Sequence, residues 1–169
     1  EAHRSEMLGL CLRDRISISV TGTHGKGTVS AMITHILKTA EEDPTFLIGG
    51  LLNNYGVNAH SGSGQYAIAE VDESDRSHLK LKPNYAVVNN LEVDHLNFYD
   101  DLDDIVGTMA EFISSNGALE GLTLNWDDPG VRALAEKLDT PFIKYGSQSD
   151  ELDFSARQVK DHGDKVTFS

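Results

Sequence analysis

Residues 22–27 read Gly-Thr-His-Gly-Lys-Gly, just past a short strand-like stretch that ends in Val20. Glycines let successive backbone N–H groups turn inward around an anion, and a helix that starts at such a loop adds partial positive charge. The chemistry this suits is polyphosphate binding. Lys26 would reach the outer phosphates of a triphosphate, and Gly22, Thr23, His24, Gly25, Gly27 and Thr28 would form the cradle around them. Two positions depart from the common P-loop pattern. Val20 stands where a glycine would precede the lysine, and Gly27 stands where a serine or threonine would hold magnesium, with Thr28 one place later. The competing reading is a plain glycine turn with a solvent-exposed lysine. A strand before the loop and a helix after it favour the nucleotide.

Two further clusters follow apolar runs. Glu70-Val71-Asp72-Glu73-Ser74-Asp75 is acidic, and a carboxylate just beyond a buried strand can reach a magnesium ion shared with nucleotide phosphates. A solvated acidic turn is the alternative. Asn89-Asn90-Leu91-Glu92-Val93-Asp94-His95 places a histidine beside an aspartate that can fix its tautomer. His95 is therefore either a ligand to a second metal ion or a capping or core histidine. His3, His35, His60, His78 and His162 show no metal-ligand spacing and read as structural or exposed. No nucleophile stands beside a base, and Cys11 reads as a small core residue on the apolar face of the first helix.

The elements that must carry these motifs alternate. Arg4–Arg13 predicts a helix, with Met7, Leu8, Leu10, Cys11 and Leu12 on one broad face. Ile16, Ile18 and Val20 alternate with serines as a strand does. Met32, Ile33, Ile36 and Leu37 recur at helical spacing in a helix that fades near Asp43-Pro44. Phe46–Ile48, Ala67–Val71 and Tyr85–Val88 predict strands, the last two as buried parallel ones. Ile105–Ile113 predicts a helix, Leu122–Leu124 a strand, Asp127–Leu138 a helix and Phe142–Tyr145 a strand. Phe154–Val159 and Lys165–Phe168 read as a hairpin around His162-Gly163-Asp164. The fold class is α/β, a mostly parallel sheet with helices on both faces, a P-loop type core and a small antiparallel hairpin at the C-terminal end.

Composition narrows the partners. The 169 residues suit a single domain over 1–169, and 14 Lys plus Arg against 27 Asp plus Glu give a net charge of −13. That charge speaks against nucleic acid, whose phosphates need a basic face. No apolar run approaches a membrane span. Cys11 is the lone cysteine, which suits a reducing cytoplasm. The chain opens at Glu1 with neither a methionine nor a basic-then-apolar leader and reads as excised from something longer.

Taken together, Thr21-Gly22-Thr23-His24-Gly25-Lys26, the Glu70–Asp75 run and Asn90-Leu91-Glu92-Val93-Asp94-His95 resemble the central ATP-binding domain of the Mur ligases. Asn58-Ala59 and Asp127-Asp128-Pro129 with Val131-Arg132 also fit, so the resemblance runs from about Glu6 to Tyr145. It implies an ATP-dependent ligase of peptidoglycan precursor synthesis that joins an amino acid to a carboxylate through an acyl phosphate. By position, Lys26, Glu73 and His95 would be the catalytic residues. Glu73 would hold the magnesium that bridges the β- and γ-phosphates, His95 a second ion, and Asn90 and Asp94 would support them. Gly27 stands where the family has a magnesium-binding threonine, so Thr28 or water would complete that shell. No lysine occurs between His95 and Lys137, which fits the branch that adds L-alanine to UDP-N-acetylmuramate rather than the later-acting ones. The family's N-terminal UDP-binding and C-terminal closing domains are not recognisable here, so the chain alone should be inactive as a ligase. Folylpolyglutamate synthases, which carry a Lys-Gly-Ser/Thr arrangement, and a non-catalytic nucleotide-binding module are the alternatives.

Overall fold

The computed structural model describes residues 4–94, 97–163 and 165–169, so His95 lies outside the described residues. Among the described residues there are four helices, α1 (Arg4–Leu12), α2 (Lys26–Thr39), α3 (Leu102–Ser114) and α4 (Pro129–Ala135). The longer strands are β1 (Ile16–Thr21), β2 (Thr45–Leu52), β3 (Val57–His60), β4 (Tyr66–Glu70), β5 (Tyr85–Val88), β6 (Gly121–Asn125) and β7 (Ile143–Gly146). Two-residue strands β8 (Phe154–Ser155), β9 (Lys160–Asp161) and β10 (Val166–Thr167) follow, and a 3₁₀ turn (Ser77–Lys80) lies between β4 and β5.

Eight strands form one sheet in the order β3-β2-β4-β1-β5-β6-β7-β8. Every neighbouring pair is parallel except β2 with β3. β1 is central, with Val20 in register with Glu70 of β4 on one side and Val87 of β5 on the other. The chain crosses from one side of β1 to the other between β4 and β5. The loops after these three strands therefore meet at one carboxyl edge, the place where open parallel sheets bind ligands.

Successive residues of a strand face opposite sides of the sheet. On β4, Ala67 and Ala69 pack in a cluster with Leu12, Met109, Phe112 and Leu134, from α1, α3 and α4. Ile68, facing the other way, packs with Phe46, Ile48 and the α2 residues Ala31, Ile33 and Leu37. Helices cover both faces, as expected. A central strand is buried on both sides, which explains why Ser17 and Ser19 of β1 are buried along with Val20.

Local chemistry sets the helix starts. Asp101 caps α3 by accepting from the Asp104 N–H at 2.9 Å, and Asp128 caps α4 by accepting from the Val131 N–H at 2.8 Å. Pro129 fits the first turn of α4, where its missing N–H has no intrahelical partner to lose. α2 has no side-chain cap.

Several expectations change. Cys11 is exposed, not a core residue, because the buried edge of α1 falls on Ser5 and Leu12. Met32 and Ile36 are exposed, and the inward face of α2 runs through Ser30, Ala31, Ile33, Thr34 and Leu37. α4 is shorter than Asp127–Leu138 at both ends. β3 is an antiparallel edge strand that no alternation announced. The tail does contain an antiparallel hairpin, but β9 and β10 make it, while Phe154–Ser155 joins the main sheet parallel to β7. Of the histidines expected to be structural or exposed, His78 is structural, in the core at 1% exposure and edge-on to Phe112. No helix among the described residues is long and apolar enough to cross a membrane.

Candidate functional site

The loop between β1 and α2 is shaped by two glycines with positive φ. Gly22 (φ 131°) lies so close to the segment after β5 that a Cβ there would sit 2.8 Å from the Asn90 carbonyl oxygen. Gly25 (φ 79°) is the residue before α2 and adopts a left-handed conformation open to glycine without strain. Without a capping side chain, the N–H groups of Lys26, Gly27 and Thr28 have no intrahelical acceptor. Uncapped amides at a helix start are the kind of group that can receive an anion.

The segment after β5 braces this loop. The Thr23 N–H donates to the Asn90 carbonyl at 3.0 Å, and the His24 N–H to Asn90 Oδ1 at 2.7 Å. Asn89 and Asn90 each donate from Nδ2 to the His24 carbonyl, at 3.3 and 3.1 Å, and the Glu92 N–H donates to Thr23 Oγ1 at 2.9 Å. Two loop amides expected to face phosphate, those of Thr23 and His24, are thus engaged by Asn90. Asn90 supports the loop backbone. Asn89 opens the second cluster read in the sequence but carries no role there, although adjacent asparagines just past a strand are apt to bond to neighbouring backbone. Its Oδ1 also accepts from the Tyr145 hydroxyl at 3.2 Å.

The acidic run is sorted by its contacts. Glu73, 2% exposed, faces Lys26 across the ends of β4 and β1, with Nζ at 3.2 Å from Oε2 and 3.4 Å from Oε1. The same ammonium donates to the carbonyls of Gly22 at 2.6 Å and Thr23 at 3.2 Å. Burial raises the Glu73 carboxyl above its ordinary range, and the Lys26 charge opposes that rise. Glu70 instead occupies a notch between Gly27 and Gly49. Its Oε2 accepts from the Gly49 N–H at 2.9 Å, and a Cβ on Gly27 would lie 3.2 Å from the same oxygen. Asp72 and Asp75 accept from the N–H groups of Ser74 and Ser77, at 3.0 and 2.9 Å.

A cavity of about 600 Å³ opens beside this arrangement, lined by Thr23, Lys26, Glu70, Asp72 and Asp94 on its polar side. Met7, Leu8 and Cys11 of α1 form its apolar wall. Thr28 and Gly27 line a different cavity, shared with Ala31, Met32 and Leu51. The structure brings together Lys26, Glu73, Thr23 and Asp94 of the sequence candidates, with Thr28 opening to the neighbouring side. No cluster of three or more His, Cys, Asp or Glu side chains among the described residues is arranged to hold a metal. Magnesium differs from transition metals in taking one or two carboxylates and completing its shell with water and phosphate. The hard oxygens of Glu73, now neutralised by an ammonium, fit such an ion.

Comparison with known proteins gives these features relatives. A family model described as the Mur ligase middle domain matches residues 20–169. UDP-N-acetylmuramate–L-alanine ligase of Syntrophotalea carbinolica is 41% identical over 166 residues, 98% of this chain and 36% of that protein. The enzyme of the same name from Synechococcus sp. is 41% identical over 165 residues, 34% of its length. The chain thus spans about a third of the length of the curated relatives it matches. Among solved structures, UDP-N-acetylmuramate-alanine ligase from Thermotoga maritima is 28% identical with a TM-score of 0.70 over 86% of this chain and 31% of that one. A UDP-N-acetylmuramate:L-alanyl-gamma-D-glutamyl-meso-diaminopimelate ligase from Neisseria meningitides gives a TM-score of 0.77 at 26% identity, covering 97% of this chain and 54% of that one.

Proposed function

Because this chain belongs to the Mur ligase middle-domain family, we propose that it is the ATP-binding part of a cytoplasmic ligase that joins L-alanine to UDP-N-acetylmuramate. In that reaction a carboxylate oxygen attacks the γ-phosphorus and ADP leaves. The amine of alanine then attacks the carbonyl of the resulting acyl phosphate, and phosphate departs as the amide forms and the amine loses a proton. Protein groups make no covalent bond in this sequence; they orient the reactants and offset charge.

The observation that carries the reading is the Lys26–Glu73 pair lying across the uncapped start of α2. A triphosphate placed there meets the amides of Lys26, Gly27 and Thr28, and draws the Lys26 ammonium off the Gly22 and Thr23 carbonyls toward its outer oxygens. Glu73 would then hold magnesium in place of the ammonium, with His95 assigned a second ion from the family resemblance alone. When bound, magnesium supplies positive charge that stabilises the transferring phosphoryl group. With Gly27 lacking a hydroxyl and Thr28 opening on the neighbouring cavity, water is the simplest occupant of the remaining positions in its shell.

Binding of UDP-N-acetylmuramate and closure over ATP are assigned to the rest of the length that the curated relatives have. This chain by itself should bind nucleotide weakly and form no amide, and steady product from ATP, UDP-N-acetylmuramate and alanine would overturn that part. The nucleotide site is tested by titrating ATP in magnesium against the wild-type chain, Lys26→Ala and Glu73→Ala. Each substitution should weaken binding by about tenfold or more, the effect of removing a charged group from a phosphate or metal site. Unchanged affinity in both variants would remove the proposal.

A further inference from the structure

Tyr99 lies in the segment between β5 and α3, is 3% exposed, and does not touch the cavity beside Lys26. Its hydroxyl donates to the backbone carbonyl of Glu73 at 2.5 Å. That carbonyl oxygen also accepts the Arg76 N–H at 3.1 Å, so its two lone pairs are engaged from two directions. The Arg76 guanidinium lies over the Tyr99 ring, 5.0 Å from its centroid. It donates to the Phe98 carbonyl at 3.0 Å and to Asp104 Oδ2 at 2.5 Å. Arg76 sits at φ 59°, a left-handed conformation that costs a non-glycine residue energy and persists only where surrounding contacts impose it.

The loop after β4 and the segment after β5 are therefore clasped to each other, although β1 separates their strands in the sheet. The clasp matters because of what happens to Lys26. In the structure the Glu73 carboxylate is held at its tip by that ammonium. Under the function proposed above, phosphate draws the ammonium away, and where the Glu73 backbone is fixed then contributes more to its aim. We propose that Tyr99 is a positioning residue for metal binding, fixing through its hydroxyl the backbone from which Glu73 reaches the nucleotide-bound divalent cation.

This inference rests on the nucleotide reading, and the test separates the two. ATP is titrated against wild type, Tyr99→Phe and Lys26→Ala, once with excess magnesium chloride and once with EDTA, and each protein is also melted. Tyr99→Phe keeps the ring under Arg76 and removes only the hydroxyl. It should leave metal-free ATP binding unchanged and reduce the gain conferred by magnesium about tenfold, as loss of an outer partner of a metal ligand does. A merely structural tyrosine would lower both affinities together, or neither. Either of those results, with the magnesium gain intact in proportion, overturns the inference. If Tyr99→Phe fails to fold, Arg76→Gln removes the other half of the clasp and should give the same selective loss; an unchanged magnesium gain there overturns the inference as well. Lys26→Ala reports on the underlying site: if it leaves ATP binding intact in both conditions, the nucleotide reading falls and takes this inference with it.

Discussion

Lys26 and Glu73 form a charge pair that, on the proposed function, the ammonium would give up to a bound cation. Removing the positive partner from a carboxylate that is 2% exposed is costly. On the proposed function, metal-free nucleotide would have to draw Lys26 off Glu73 and so work against this pair, whereas magnesium and nucleotide arriving together would restore the charge balance. Glu73→Gln breaks the pair without removing volume. In EDTA it should bind ATP more tightly than wild type, by about tenfold, equivalent to about 1.4 kcal/mol. In magnesium it should lose most of the metal-dependent gain. Calorimetric titration in both buffers reads the two effects with opposite signs, and weaker binding by the variant in EDTA would show that Lys26 does not oppose metal-free nucleotide. At this scale the residue types were readable in the chain, but the choice among carboxylates was not. Glu70, Asp72, Glu73 and Asp75 are alike in type, and only family resemblance picked out Glu73. The structure gives the physical distinction, because Glu70 is drawn into the Gly27–Gly49 notch and Glu73 meets Lys26.

Among the elements, the β1–α2 junction is the least tolerant of change. The Gly22 backbone lies against Asn90, with φ 131° and room for a Cβ only 2.8 Å from a carbonyl oxygen. Gly22→Ala must move either the loop or the segment after β5, at a cost of about 3 kcal/mol. Chemical denaturation should show a lower midpoint with an unchanged slope, and a midpoint equal to wild type would mean that the two segments are not held together as described. The glycine spacing announced this loop because its turn chemistry is local. Its bracing by Asn89 and Asn90 was hidden, since those contacts join residues more than sixty positions apart in the chain. The same reason hides β3, whose residues are exposed or half-buried at an edge and carry no alternation. Phe154–Ser155 likewise enters the sheet through backbone pairing with Tyr145 and Gly146, not through any apolar pattern of its own.

For the molecule as a whole, the core carries a pH dependence through His78. Its ring is buried against Phe112, and burial lowers its pKa from 6.5 to about 4. Between these values the unfolded chain binds a proton that the folded one refuses. Stability from this residue is therefore intact above about pH 6.5 and is lost as pH falls toward 4, by up to about 3 kcal/mol. His78→Leu should flatten that part of the stability profile measured by denaturant midpoints from pH 7 to 4. A slope unchanged by the substitution would assign the effect to other groups. As a sequence feature His78 was one of several histidines without ligand spacing, and nothing local distinguished it from an exposed one.

The residue order by itself determined the α/β class, the glycine-shaped loop between β1 and α2, the two strand-end clusters and the family, because hydrophobic period, glycine placement and motif order are written in short stretches of chain. Tertiary structure decided which carboxylate faces Lys26, which loop amides Asn90 takes, that Cys11 is exposed and His78 buried, and that Tyr99 reaches Glu73. Each of these is a contact across the sheet edge or between its layers. Such contacts depend on β4, β1 and β5 lying side by side, and that adjacency is set by the packing of two cores rather than by any one segment.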